Sequence, residues 1–124
     1  MPRLTASDAR DISRSFHDLA VSIGRYRFDN WSKLSPSERT DLESREWTLL
    51  NDSSDMTSRA IILQVDDMKS ALEGIKAATK RLNKTAKSFR DFRSAISVAS
   101  KAISLGAAIM TGNPIAIAEA IAST

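Results

Sequence analysis

The longest uncharged stretch of the chain runs from Ala102 to Ala118, and it limits the folds that this sequence can adopt. It contains 17 residues, which would span about 26 Å as one helix. A transmembrane helix needs about 20 unbroken apolar residues, and Gly112-Asn113-Pro114 divides this stretch in two. We therefore expect a hairpin of two short helices, which other helices, a partner subunit or a membrane must cover.

The rest of the composition favours helix. Among 124 residues there are only four glycines and three prolines, and Ala, Leu, Lys, Arg and Glu surround most of the β-branched residues. This length is typical of one domain. We predict a single all-α domain, 1–124, in which long antiparallel helices pack like a coiled coil in a bundle and the short apolar hairpin follows.

Capping signals place the helix ends. Ser35-Pro36-Ser37-Glu38 combines an N-cap serine, a proline suited to the first helical position and a capping-box glutamate. Thr5 with Asp8 marks an earlier start, and Gly112-Asn113-Pro114 marks a stop and a restart. The predicted helical segments are 5–27, 36 to about 80, about 84–111, and 114–122.

Apolar residues continue at steps of four and three through the middle of the chain, which favours long helices. The run is Ile61, Val65, Met68, Leu72, Ile75, Thr79, Leu82, Ala86 and Phe89. A turn is still required, and we expect it near Asn51–Asp55 or near Arg81–Lys84. In the connector after the first helix, Phe28 and Trp31 are expected to be buried.

The apolar hairpin supplies the first set of candidate functional residues. Small residues at Ala95, Ala99, Ala102 and Gly106 recur at helical spacing, which allows another helix to approach closely. The candidates for a protein interface or for membrane insertion are Ile103, Leu105, Gly106, Ile109, Met110, Ile115, Ile117 and Ile121.

Charge is unevenly distributed along the chain. Residues 35–67 hold three basic and eight acidic residues, whereas residues 68–101 hold nine basic and two acidic ones. This order suits two helices lying side by side, or a basic helix that binds an acidic partner. The candidates for binding an anionic partner are Lys76, Lys80, Lys84, Lys87 and Arg90, and the four lysines share one helical face.

A basic amphipathic helix that leads into an apolar hairpin is consistent with binding to an anionic membrane. At the level of architecture, it looks like the general plan of α-helical pore-forming proteins. Nucleic-acid binding by the lysine stripe is a further alternative. It is less favoured, because no helix-turn-helix punctuation and no interleaved aromatic residues accompany the lysines.

The sequence offers little for catalysis. Cysteine is absent, and His17 is the only histidine. Asp66 and Asp67 are adjacent, so on a helix they would diverge by about 100°. We therefore predict no enzymatic activity, no cofactor and no metal.

The function that we predict is helix–helix association with a protein partner or with a second copy of the chain. Membrane activity through a protected 102–122 hairpin is the first alternative, and nucleic-acid binding is the second. The N-terminus lacks the apolar run of a signal peptide. We accordingly expect a cytoplasmic protein, with membrane association on activation under the first alternative.

Overall fold

A computed structural model describes residues 3–58, 61–63 and 67–124. These residues form an all-helical bundle, which confirms the predicted all-α bundle, whereas the antiparallel coiled-coil packing stays a prediction. Its α-helices are α1 (Ala6–Asp29), α2 (Pro36–Ser58), α3 (Met68–Ala86), α4 (Phe92–Thr111) and α5 (Pro114–Ala122). A short 3₁₀ helix, Trp31–Lys33, joins α1 to α2. Val65 and Asp66, which figured in the sequence predictions, lie outside the described residues.

The predicted caps are present. The Ser35 hydroxyl accepts a hydrogen bond from the Glu38 amide at 3.2 Å, and the Glu38 carboxylate accepts one from the Ser35 amide at 2.8 Å. Thr5 caps α1 by accepting from the Asp8 amide. Gly112 ends α4 with φ 69°, and the Asn113 side chain caps α5. These local signals are reliable because each satisfies backbone groups that the helix itself leaves unpaired.

The predicted helix from 36 to about 80 is wrong, because the structure has two helices there. α2 continues through Asn51–Asp55 and ends at Ser58, and α3 begins at Met68 after the Asp67 side chain caps it. Ile61 and Leu63 are buried in the connector, although neither is helical. Because these two apolar residues continue the apolar spacing beyond the end of α2, the periodicity of the sequence does not reveal where the helix ends.

The second break also differs from its predicted position. α3 extends through Arg81–Lys84 to Ala86, and α4 begins at Phe92 rather than at about residue 84. Asp91 and Ser94 form a reciprocal capping box at this start. Serine in place of the usual glutamate or glutamine makes this box less conspicuous in the sequence.

α1 is the central helix of the bundle. It packs against α2, α3 and α4, while α2 also packs on α4, and α5 covers parts of α3 and α4. The expected side-by-side pairing of acidic α2 with basic α3 is wrong, since α1 and α4 are the principal neighbours of α2 among the described residues. The large side chains at the centre of the core are Ile12, Phe16, Leu19, Ile23, Leu42, Leu49, Met56, Leu63, Ile75, Leu105 and Ile109.

Candidate interaction surface

The hairpin of α4 and α5 is largely part of the core. Of the eight hairpin candidates, Leu105, Gly106, Ile109 and Ile117 are buried. Three others, Ile103, Met110 and Ile121, are half-buried. Ile115 alone among the eight is well exposed, at 69%. The chain's own helices therefore cover most of the surface that these residues would present to a partner or a membrane.

Gly106 in α4 and Gly112 directly after it explain how closely the hairpin is held. A Cβ atom on Gly106 would lie 2.8 Å from Oδ2 of Asp52, so the absence of a side chain lets α2 approach α4 at this point. At the turn, a Cβ atom on Gly112 would collide with the backbone carbonyl of Ile62. The α2–α3 connector thus lies directly against the hairpin turn.

Asp52 carries an electrostatic cost at the α2–α4 contact. Partial burial raises the pKa of its carboxyl group, and the nearby charge of Asp55 raises it further. The carboxylate is therefore less favourable in the folded protein than in water.

α4 has the length and composition of a membrane-spanning helix. Within the helix Phe92–Thr111, an 18-residue stretch has a mean hydropathy of 1.3, and 44% of that stretch is buried inside the bundle. The core helix of a soluble protein can have the same length and composition, so this property does not assign α4 to a membrane.

The lysine stripe is divided between two grooves. Lys76, Lys80 and Lys87 line a groove of about 550 Å³ between α1 and α3 (the α1–α3 groove), together with Arg25 and Asn83. The acidic side chains of Asp11 and Asp18 also line it. The groove is thus basic along α3 and of mixed charge along α1.

Lys84 and Arg90 lie apart from this groove. Lys84 instead lines a separate cavity with Arg81, Ser97 and Lys101, between α3 and α4. Arg90 follows the end of α3, in the connector to α4. The predicted five-residue anionic site is therefore not one continuous surface.

Lys76 is the lysine of this groove whose charge is compensated. Its Nζ lies 3.3 Å from Oδ1 of Asp8 and 3.9 Å from Oδ2 of Asp11, both on α1. These carboxylates come from the first helix and not from the acidic segment 35–67.

Two polar contacts fix α1 against α2. Arg27 is nearly buried and donates to both carboxylate oxygens of Glu46, at 2.6 and 3.2 Å. These hydrogen bonds raise the pKa of the Arg27 guanidinium. Glu46 reaches Arg27 by passing over Gly24, where a Cβ atom would lie 2.6 Å from Oε1. Farther along the same seam, the hydroxyls of Ser13 and Ser53 lie 2.8 Å apart.

A second groove, of about 530 Å³, runs along the outer side of this seam (the α1–α2 groove). Ala20 and Gly24, both small, leave room between the helices, and Val21, Phe28 and Leu50 supply apolar walls. His17, Arg25, Asp29 and Glu46 complete the lining. Small residues flanked by large apolar ones form a concave surface that a ridge of side chains from another helix can enter.

Large apolar side chains are exposed around the α1–α2 groove. Phe28 is 67% exposed and Trp31 is 45% exposed, so the expectation that both are buried is wrong. Trp47 is 60% exposed on α2, one turn before Leu50, and Val21 is also exposed. Both tryptophans of the chain are therefore accessible at the surface.

Arginines hold the aromatic side chains in place. The rings of Phe28 and Trp31 stack with centroids 6.2 Å apart. The Arg27 guanidinium carbon lies 4.7 Å from the Phe28 centroid, and that of Arg39 lies 4.5 Å from the Trp31 centroid. Arg39 also donates two hydrogen bonds to the Trp31 carbonyl, at 2.6 and 2.9 Å. Cation–π contacts and hydrogen bonds thus preorganise an exposed aromatic pair.

The sequence contains a signal for this exposed apolar surface, which a search for buried residues alone does not detect. Val21 and Phe28 lie about 180° around α1 from Leu19, on the side opposite the buried stripe. Two large apolar residues one heptad apart on a face that should be polar indicate an exposed apolar ridge.

No cluster of metal-ligating side chains accompanies these grooves in the part of the chain that the structure describes. His17 Nδ1 and Asp18 Oδ1 are 3.9 Å apart on exposed side chains. No three His, Asp or Glu side chains among residues 3–58, 61–63 and 67–124 converge to hold a metal ion.

Comparison of the chain with protein-family models, with curated proteins and with solved structures found no match.

Proposed function

We propose that this chain is a non-enzymatic interaction protein that binds an α-helix of another chain in the α1–α2 groove. The bound helix belongs to a protein partner or to a second copy of the chain. The observation that carries the proposal is the exposure of Val21 and Phe28 in the lining of one groove, with the exposed Trp31 ring stacked on Phe28.

The chemical character of these residues supports a protein partner. Aromatic residues are enriched at the centres of protein interfaces, where tryptophan contributes disproportionately to the binding energy. The arginine contacts of Phe28 and Trp31 reduce the conformational freedom that these two rings would lose on binding. The groove is also apolar along its walls and lies between two helices, which suits the apolar face of an amphipathic helix.

Display selection provides a direct test. The probe is a library of displayed 18-residue peptides with leucines fixed at helical spacing and with randomised flanking positions. We expect the intact protein to enrich peptides whose binding shifts the fluorescence of Trp31 and Trp47. The Val21→Asp variant should lose these peptides, because it places a charge between the apolar walls of the groove.

Ile115→Asp is the matched control, since it makes the same kind of change at an exposed apolar residue of α5. It should leave peptide binding unchanged. If no peptide is enriched, or if Ile115→Asp weakens binding as much as Val21→Asp does, the α1–α2 groove is not the binding surface. Light scattering of the intact chain and of Val21→Asp reports separately whether a second copy occupies the groove.

Membrane activity is the second candidate, favoured by the length and hydropathy of α4. It requires the buried hairpin to leave the bundle. Flotation with phosphatidylglycerol vesicles at neutral and at low pH tests it, with Ile115→Asp as the informative variant. Leu105→Asp and Ile109→Asp are unsuitable, because both residues are fully buried and a charge there would unfold the domain. Absence of flotation under both conditions would exclude this candidate.

A further inference from the structure

We infer that the partner helix carries acidic residues along one edge. Arg25, Lys80 and Lys87 bind these carboxylates, while the apolar face of the partner helix occupies the α1–α2 groove. This inference rests on the proposed function and specifies the chemistry of the partner.

The two grooves adjoin along α1. Val21 and Arg25 line both of them, so the exposed face of α1 forms the ridge that separates the apolar groove from the basic one. Neighbouring helices pack about 8–10 Å apart, and glutamate and lysine side chains together can reach across such a distance. A helix lying along α1 can therefore place leucines against Val21 and carboxylates toward α3.

The basic side of this surface lacks compensation within the chain. Among residues 3–58, 61–63 and 67–124, no carboxylate lies within 4.0 Å of the charged nitrogens of Arg25, Lys80 or Lys87. Lys76, at the other end of the groove, is already paired with α1. Within the α1–α3 groove, the positive charge left for a partner is therefore that of Arg25, Lys80 and Lys87.

The groove continues past Lys87 toward Tyr26 and Phe89. A smaller cavity of about 250 Å³ shares Ser22, Arg25 and Lys87 with the main groove. Lys80 and Lys87 are seven residues apart, which is about 10 Å along the helix axis. This spacing matches acidic residues two turns apart on a partner helix.

The acidic side chains of α1 favour a peptide over a polyanion. Asp11 and Asp18 line the α1–α3 groove, and Asp29 lines both its continuation and the α1–α2 groove. They would repel the closely spaced phosphates of a nucleic acid or of an anionic membrane surface. A helix that carries only two or three carboxylates can place them away from these aspartates.

The selected peptides provide the experiment. Their flanking positions should contain more glutamate and aspartate than the input library, concentrated along one edge of the helix. Lys80→Glu should weaken the best peptide roughly fivefold to tenfold, and the affinity of the unmodified protein should fall as salt is added.

Lys84→Glu is the matched control, because it makes the same charge change one turn away on a lysine that lines the α3–α4 cavity instead. It should change the affinity less than twofold, and circular dichroism should show both variants folded. Neutral or basic flanks in the selected peptides, or equal effects of Lys80→Glu and Lys84→Glu, would overturn the inference while leaving the groove intact. Failure to enrich any peptide would overturn the proposed function itself. A last outcome would replace the partner helix with another ligand. It is salt-sensitive binding to duplex DNA or to phosphatidylglycerol vesicles that Lys80→Glu abolishes, while no acidic peptides are enriched.

Discussion

The α4–α5 hairpin and the outer face of α1 and α2 place their large apolar side chains in opposite environments. The hairpin has almost no charge, and most of its isoleucines and leucines contact other helices of the same chain. The outer face belongs to two helices rich in charge, yet it exposes Phe28, Trp31 and Trp47. An apolar segment can thus serve stability, while a few apolar residues among charges form the exposed apolar surface.

Truncating one large side chain in each region should separate stability from binding most clearly. Ile109→Ala is expected to lower the free energy of unfolding by about 3 kcal/mol, because it leaves a cavity in the core. Phe28→Ala should change it by less than about 0.5 kcal/mol and should abolish peptide binding. Urea denaturation and peptide titration measure the two effects. Equal stability losses would show that Phe28 also serves the core.

A substitution at the hairpin turn should have the next largest effect. Gly112→Ala combines an unfavourable positive φ with a collision against the Ile62 carbonyl, and we expect a loss of about 2–3 kcal/mol. Gly74→Ala is the control, because its added Cβ would meet only the end of the Ile121 side chain, at 3.2 Å. The control should stay within about 1 kcal/mol of the original protein in the same urea titration. Similar losses in both variants would argue against a special role for the turn.

The ion pair beneath the aromatic side chains should matter less than the turn. Glu46→Gln leaves the nearly buried Arg27 guanidinium with only the more distant Glu43 carboxylate, at 3.8 Å, and we expect a loss of about 1–2 kcal/mol. Asp41→Asn, which removes an exposed contact of 3.8 Å with Arg45, should cost less than about 0.5 kcal/mol. Thermal unfolding of both variants tests the difference. If the two losses are the same, the α1–α2 seam does not depend on the buried pair.

The smallest effect is expected at Asp52, where α2 meets the hairpin. Because the folded protein raises the pKa of this carboxyl group, its protonated form favours folding. The stability that protonation of Asp52 contributes is therefore lost as the pH rises through the raised pKa. Asp52→Asn should be more stable than the original protein at pH 7, by less than about 1 kcal/mol. The advantage should shrink toward pH 4 in matched urea titrations, and an advantage that grows on acidification would contradict the assigned cause.

Local capping chemistry was predictable from the sequence, whereas the helix ends near 59–67 and 87–91 were not. A cap depends on residues three positions apart, as at Ser35 and Glu38, so it can be recognised without the rest of the fold. The first missed break depends on Ile61 and Leu63, which are buried outside a helix by contacts from distant segments. Apolar spacing cannot distinguish such residues from helical ones.

The candidate surface was predicted only in part, because it depends on which helices become neighbours. The lysines were identified, but their division depends on the position of α1 beside α3. The exposure of Phe28 and Trp31 depends on Arg27 and Arg39, which hold the rings at the surface. Neither arrangement follows from local spacing, although the position of Val21 and Phe28 opposite the buried stripe was visible in the sequence.

The contact between the α2–α3 connector and the hairpin turn also bears on the order of folding. The Leu4 amide donates to the Ile61 carbonyl at 3.0 Å, and the neighbouring Ile62 carbonyl lies against Gly112. This junction joins three segments that are each about 50 residues or more apart in the chain. Closing such long loops has a high entropic cost, so the junction should form after the local helices and reopen before them. Exchange of the Leu4 amide hydrogen with solvent would then report the opening of this junction.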